Sequence, residues 1–419
     1  MKILSITAQK PHSTGSGTYM TELVRAFDHM GHSQAVVCGI FPDDVVEFPD
    51  GVSCYPVFFT DKKADLLTAP CKAAKARFSA LPFPVVGMSD IMPYTSTRYR
   101  DLTPDMIAQF EAAFIDAVSK AIAELDPDLI ICHHLFLLTA LVRKHFPDRR
   151  IAGISHGTDL RQMINCDNLR EIVRPYIKEL DAALALHAEQ RTQIIEIFGM
   201  DESRVSVIGS GYNNKLFNTD GRVEREDGMP LRIAYAGKIS RPKGVPEMLA
   251  ALDRLAADSE VPAFELTMAG GCQDEVMQEK LRELPPWADW LGQIPQPALS
   301  ELLRRTDIFI LPSYFEGLPL VLIEAMSAGA VPVSTDLPGI QSWINANVGS
   351  SNAVFVPKPQ MKSIDEPTDD GRIAFIEDLT AALRDTMSGF TSGILPGPLP
   401  DTSAITWDGL AARLLSICK

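Results

Sequence analysis

Glu316 and Glu324 stand with seven residues between them, in a stretch that runs from Ser313 to Gly329. Ile308–Leu311 before them reads as a buried strand, and 312–317 reads as a turn. Pro319 suits a first helical turn, where a missing N–H costs nothing, and Gly329 ends the helix. That helix is apolar almost all round, through Leu320, Val321, Leu322 and Ile323, so burial is expected. A buried glutamate needs a polar partner. Amides at Gly317 and Leu318, free at a strand end and pointing out of a helix start, make an anion site. Two solvated glutamates on a surface helix are the alternative reading.

Other loops carry chemistry-bearing residues. Gly237 to Gly244 follows a strand and precedes a helix, and holds Lys238, Arg241 and Lys243. An ordinary basic loop would look the same. Gly270 and Gly271 end a strand and let backbone approach a ligand. Gly292, Gln293 and Ile294 form a similar turn. In the first half, Gly15 and Gly17 lie between a strand and a helix that Thr18 caps. Met20 replaces the third glycine, so they are only part of a dinucleotide fingerprint. His156 closes a strand and is followed by Asp159, Arg161 and Gln162. Asp126 and Asp128 spell a metal-type pair by letters, but the proline between them and the buried strand after them mark a turn.

The glutamate pair resembles the E-x7-E signature of the retaining glycosyltransferases of glycosyltransferase family 4. These have the α/β GT-B fold, two Rossmann-like doubly wound domains facing a central cleft. The resemblance implies that Glu316 contacts hydroxyls of the donor sugar and Glu324 the ribose of the nucleotide, with the Gly317 and Leu318 amides on the diphosphate. Loop 237–244 is similar to the family's G-R-x4-K-G loop, whose two cations neutralise that diphosphate. Lys243 matches the family lysine. Lys238 stands where arginine is usual and lacks its bidentate fork, with Arg241 nearby to compensate. By the same resemblance Gly271 approaches the donor, main chain at Ile294 recognises the base, and Gly15 and Gly17 lie near the phosphates. His156 matches a histidine that touches the donor sugar. From their position just after it, and not from the resemblance, Asp159, Arg161 and Gln162 are expected to meet the acceptor. Asn213 takes the place of the aspartate in the family's G-V-D-x3-F linker turn, which ends here at Phe217.

The reaction so implied moves a sugar from a nucleoside-diphosphate sugar, a UDP-sugar before a GDP-sugar, to an acceptor hydroxyl with retained configuration. Lys238, Lys243 and the helix amides stabilise the leaving diphosphate, which helps deprotonate the acceptor. No metal and no cofactor are expected beyond the donor as co-substrate. A nucleotide-sugar epimerase or hydrolase on the same fold and a non-catalytic nucleotide-sugar binding subunit are the alternatives. A nicotinamide oxidoreductase using Asp43 or Asp44 is a third, against which the broken glycine fingerprint counts.

The elements that must position these residues alternate. Strands are expected at 3–7, 34–38, 129–132, 151–155, 183–186 and 205–208. In the second half they are expected at 232–236, 264–268, Ile308–Leu311 and 331–334. Helical patterns lie between them, such as 19–30 and 106–124, the latter with Ile107, Phe110, Phe114, Ile115 and Val118 on one face. Alternation of this kind builds parallel sheets with helices on both faces. The polar stretch 218–230 reads as a linker, and 388–400, rich in Pro and Gly, as a second crossing. The expected division is 1–212 as the acceptor-side domain and 213–401 as the donor-binding domain, with a helix in 402–419 crossing back to the first.

Composition sets the outer bounds. Lys and Arg number 39 against 54 Asp and Glu in 419 residues, and the net charge of −15 argues against a nucleic-acid partner. The longest near-apolar run, 129–142, is interrupted by His133 and His134 and is too short to span a membrane. The opening residues turn polar too soon for a signal peptide. Seven scattered cysteines without a CxxC pair read as reduced thiols in a cytoplasmic protein. Segment 61–80 carries Lys62, Lys63, Lys72, Lys75 and Arg77 between apolar residues. It is a solvated basic face, or else a peripheral contact with an anionic membrane or acceptor.

Overall fold

Strands of a parallel sheet are covered on both faces and read as near-continuous apolar runs. Leu129, Ile130, Ile131 and Cys132 are fully buried, as are Ile308, Phe309 and Ile310. The computed structural model describes residues 1–60, 80–226, 228–348, 352–363, 365–402 and 405–418. Among the described residues such runs build the two large sheets, one in each of two compact units: Met1–Gly211 with Trp407–Lys419, and Tyr212–Thr406. The basic segment expected to meet a membrane or an anionic acceptor lies outside the described residues, Ala80 apart.

Among the described residues, the first unit holds a seven-stranded parallel sheet. Its strands are β1 (Lys2–Ile6), β2 (Ser33–Ile40), β3 (Ser53–Phe58), β4 (Leu129–His133), β5 (Ile151–Ile154), β6 (Ala182–Ala185) and β7 (Val205–Val207). They run in the order β3-β2-β1-β4-β5-β6-β7. Ile3 lies opposite Gln34 on one side and Leu129 on the other. Chain order therefore reverses between β1 and β4, the place where doubly wound sheets open a ligand crevice at their carboxyl ends.

Helix Gly15–His29 begins earlier than the expected Tyr19. Thr14 caps it, accepting from Gly17 N at 3.1 Å, so Gly15 and Gly17 lie in its first turn and not in a loop. Helix Pro104–Leu125 carries the expected apolar face, with Phe110, Phe114 and Val118 fully buried against the sheet. Asp126 ends it in the left-handed region and pairs with Arg149 at 2.7 Å. Asp128 accepts from Lys2 N at 2.8 Å. Both aspartates of the D-x-D therefore serve a turn. Helix Trp407–Ile417 packs along helix Gly15–His29 within this unit. It lies inside the expected 402–419, and the residues before it belong to the second unit: Tyr212 bridges Thr406, and its hydroxyl bonds the Thr402 hydroxyl at 2.8 Å.

The second unit repeats the plan among its described residues with β8 (Leu231–Ala236), β9 (Phe264–Ala269), β10 (Ala288–Trp290), β11 (Ile308–Leu311), β12 (Val331–Asp336) and β13 (Val354–Pro357). Their order is β10-β9-β8-β11-β12-β13. Helices Val245–Ala256 and Asp369–Thr391 pack together over a core of Leu266, Met268, Phe375, Leu379 and Leu383. The second of these runs through the start of the expected crossing at 388 and stops at Thr391. Strands β3, β10 and β13 were not foreseen. β3 contains a proline and is partly exposed, and β10 and β13 are too short for a periodic signal. Among the described residues no helix is long and apolar enough to cross a membrane.

Candidate active site

In the second unit β8 and β11 lie side by side where the strand order turns, and the loops leaving their carboxyl ends meet. Tyr314 N donates to Pro242 O at 3.0 Å. Gly244 sits at φ +65, and a Cβ there would come within 2.1 Å of Pro312 O, so the close approach requires glycine. This contact brings Lys243 Nζ to 2.6 Å from Glu316 Oε1. Ser313 Oγ donates to the same oxygen at 2.7 Å. The two charged side chains are 25% and 16% exposed, so the pair is shielded yet reachable. Oε1 is engaged twice, while Oε2 has no donor among the described residues.

The Gly317 and Leu318 amides have no acceptor among the described residues. Helix Leu320–Ser327 follows, with Pro319 as its N-cap rather than in its first turn. Glu324 is inside it and 7% exposed, as the apolar surroundings required. Lys238 is half-buried, and its carbonyl accepts from the Tyr235 hydroxyl at 2.7 Å. Arg241 is exposed at the start of the short turn Arg241–Lys243.

The neighbouring strand ends are stitched to this loop through backbone. Gly237 N donates to Ala269 O at 2.9 Å, Ile239 N to Gly271 O at 3.0 Å and Gly270 N to Gly292 O at 2.7 Å. Trp290 Nε1 donates to Gly270 O at 2.8 Å. A Cβ on Gly270, whose φ is +144, would sit 1.7 Å from Gly237 O. Ile294 lies half-buried just past this turn. Loops after β8, β9, β10 and β11 thus form one rim. It can neutralise an anion through lysine and amide groups and accept hydroxyl protons through a fixed carboxylate.

The first unit gathers histidines at the end of β4 and β5. His133 pairs with Ile154 in the ladder, and His156 follows β5. One ring nitrogen of the pair His133 Nδ1 and His156 Nε2 donates to the other at 3.1 Å, with the rings stacked 11° from parallel. The His134 ring meets His156 edge-on at 4.8 Å, and His134 adopts φ +71. Tyr19 stands edge-on to His156 and Trp407 and donates to Gly209 O at 3.0 Å. Burial holds His156 down at about 3 and keeps His133 and His134 well below the usual histidine range, so all three are neutral imidazoles.

Asp159 corrects an expectation. It does not face an acceptor: it is 0% exposed, and its carboxylate accepts from Leu135 N at 2.7 Å, Ser155 Oγ at 3.0 Å and His156 N at 3.2 Å. It fixes the turn after β4 to the turn after β5. Arg161 lies partly exposed on helix Thr158–Asn165. Asn213 holds its own turn, accepting from Lys215 N at 3.1 Å and Leu216 N at 3.2 Å ahead of a fully buried Phe217.

Ser313, His133 and His134 escaped sequence reasoning. A polar residue three before Glu316, and two histidines closing a buried strand, were the signals available.

Comparison with known proteins gives the same outline. A family model described as glycosyl transferase 4-like domain matches residues 14–211, and one described as glycosyl transferases group 1 matches 217–369. A glycogen synthase of Mycobacterium tuberculosis is 30% identical over 181 residues, 42% of this chain and 43% of that enzyme. The chain therefore spans less than half the length of that curated relative. Among solved structures, sucrose-phosphate synthase from Thermosynechococcus elongatus superposes with TM-score 0.64 at 16% identity, covering 99% of this chain and 98% of that one. Anabaena HepE in complex with UDP and glucose superposes with TM-score 0.58 at 14% identity, covering 99% and 98%. At such identities these two are likenesses of fold.

Proposed function

The chain belongs to the glycosyltransferase-4-like glycosyltransferases of GT-B fold, and on that premise we propose that it transfers a sugar from a nucleoside-diphosphate sugar to an acceptor hydroxyl with retained configuration. The observation that carries the reading is the Glu316 carboxylate, held through Oε1 by both Lys243 and Ser313. Oε2 is then left to accept from a hydroxyl of the donor sugar. The Lys243 ammonium and the Gly317 and Leu318 amides lie in the same loops and take the diphosphate, with Lys238 beside them. Cations and amides set in place before reaction stabilise the charge that builds on the departing diphosphate. That phosphate, freed on the face where the sugar was attached, accepts the proton of the incoming hydroxyl.

The second unit is the donor side in this proposal and the first unit the acceptor side. UDP-sugars are preferred over GDP-sugars, in keeping with a fold likeness that extends to a UDP complex. Protein cations do the neutralising that a metal does elsewhere. Calorimetric titration of the full chain with UDP, GDP and ADP in EDTA tests the donor reading. UDP should bind tightest, and absence of binding by every nucleotide would end it. A donor that binds only on addition of magnesium would overturn metal independence. Nuclear magnetic resonance of the anomeric proton in donor and product tests retention.

A further inference from the structure

Cys38 and Cys54 lie on the neighbouring parallel strands β2 and β3. Cys54 stands opposite Val36 and Cys38 opposite Pro56, so the cysteines are diagonal neighbours on one face of the sheet. Their Sγ atoms are 3.8 Å apart. Cys38 is buried among Met20, Val24, Val36 and Ile40, whereas Cys54 is exposed. Among the described residues β3 is the edge of the sheet. Its Pro56 has no amide to donate. Among the described residues its outer side is held only at its end, where Phe58 O accepts from Leu81 N at 2.7 Å, so the strand around Cys54 can shift enough to bring a sulfur contact down to the ~2.0 Å of a disulfide.

We propose that Cys38 and Cys54 are a peroxide-oxidisable dithiol pair, Cys54 the attacking thiol and Cys38 the resolving one. The contact between the two thiols holds Cys54 below the usual cysteine range and, with burial, pushes Cys38 well above it. An exposed, thiolate-prone sulfur is what peroxides select. Burial instead pushes Cys132 up to about 12, and Cys166 and Cys418 to about 11, which leaves them inert.

The Cys54 thiolate attacks one oxygen of hydrogen peroxide. The O–O bond breaks, hydroxide leaves, and Cys54 becomes a sulfenic acid. Cys38 then gives its proton to that hydroxide, forming water, and its sulfur attacks Cys54. The S–S bond forms as the S–O bond breaks, and the second hydroxide leaves and takes up a proton as water. Two thiols lose two electrons, and one peroxide becomes two waters. A dithiol reductant returns the pair to thiols by exchange, its own two thiols becoming the disulfide.

The test treats the full chain with hydrogen peroxide, unfolds it, blocks remaining thiols with N-ethylmaleimide and maps the peptides. A cross-linked peptide joining Cys38 to Cys54, with two thiols lost per chain and both restored by dithiothreitol, is expected. Cys54→Ser, at an exposed position, should abolish the loss of both thiols. Cys38→Ala should leave Cys54 as a sulfenic acid that dimedone traps; should that buried change unfold the chain, Cys54→Ser still decides. A bridge from Cys54 to Cys71, Cys54 over-oxidised while Cys38 is still alkylated, or no thiol loss would each overturn the proposal.

Discussion

Lys243 Nζ stands 2.6 Å from Glu316 Oε1, a contact between residues 73 positions apart. Two loops at the turning point of the second sheet make it, and Ser313 completes it from within the second loop. An ion pair of this kind at a partly exposed rim orients the carboxylate more than it stabilises the fold.

Lys243→Ala should therefore leave the melting temperature nearly unchanged while costing roughly 2–4 kcal/mol of transition-state stabilisation, the scale of one strong electrostatic donor. Ser313→Ala removes one hydrogen bond to a charged acceptor, about 1.5 kcal/mol. It should lower kcat with little change in nucleotide affinity. Steady-state kinetics with calorimetry on both variants measures this. A Ser313→Ala enzyme with wild-type kcat would separate the serine from the carboxylate's role.

Glu316 and Glu324 should part company in binding experiments. Glu324 is buried inside helix Leu320–Ser327 and is assigned to the nucleotide, whereas Glu316 is assigned to the sugar. Glu324→Ala should weaken binding of free nucleotide, and Glu316→Ala should chiefly lower turnover. Equal loss of nucleotide affinity in the two variants would sink that division.

Two glycines should respond oppositely to an added methyl. Gly270→Ala puts Cβ 1.7 Å from Gly237 O at φ +144, and strain of this kind costs more than about 3 kcal/mol. Gly15→Ala meets nothing within 4 Å at the start of helix Gly15–His29, so stability should stay within about 0.5 kcal/mol. Denaturant unfolding gives both numbers. A stable Gly270→Ala variant would mean that the two loops can separate without harm.

Acid should destabilise the first unit from a mild pH. His133, His134 and His156 are held neutral by burial when folded, His156 down to about 3, against an ordinary value of 6.5. Between those limits the unfolded chain binds the protons and the folded chain does not, so stability falls as pH drops below about 6.5. Each such proton contributes up to about 1.4 kcal/mol per pH unit. His134→Asn, whose side chain tolerates the left-handed backbone at this site, should flatten the slope of unfolding free energy against pH. An unaltered slope would show that His134 is already protonated in the fold.

Whatever lies within one strand, its loop and the next helix is legible along the chain. The spacing of Glu316 and Glu324, the amides between them, the cations of loop 237–244 and the alternation of apolar runs are local, and each can be read along a single βα unit. The expected Thr18 cap shows the resolution of such reading: Thr14 and Thr18 both precede helical residues, and only the hydrogen bond from Gly17 chooses Thr14. Tertiary structure alone decided which loops meet, because strand order in a parallel sheet is set by crossovers that span tens of residues. That order put Lys243 on Glu316, His133 on His156, and Cys38 against Cys54. It also took Asp159 out of reach of any acceptor. A carboxylate next to a strand-end histidine reads as a ligand contact until the fold supplies the buried donors, Leu135 N and Ser155 Oγ, that claim both its oxygens.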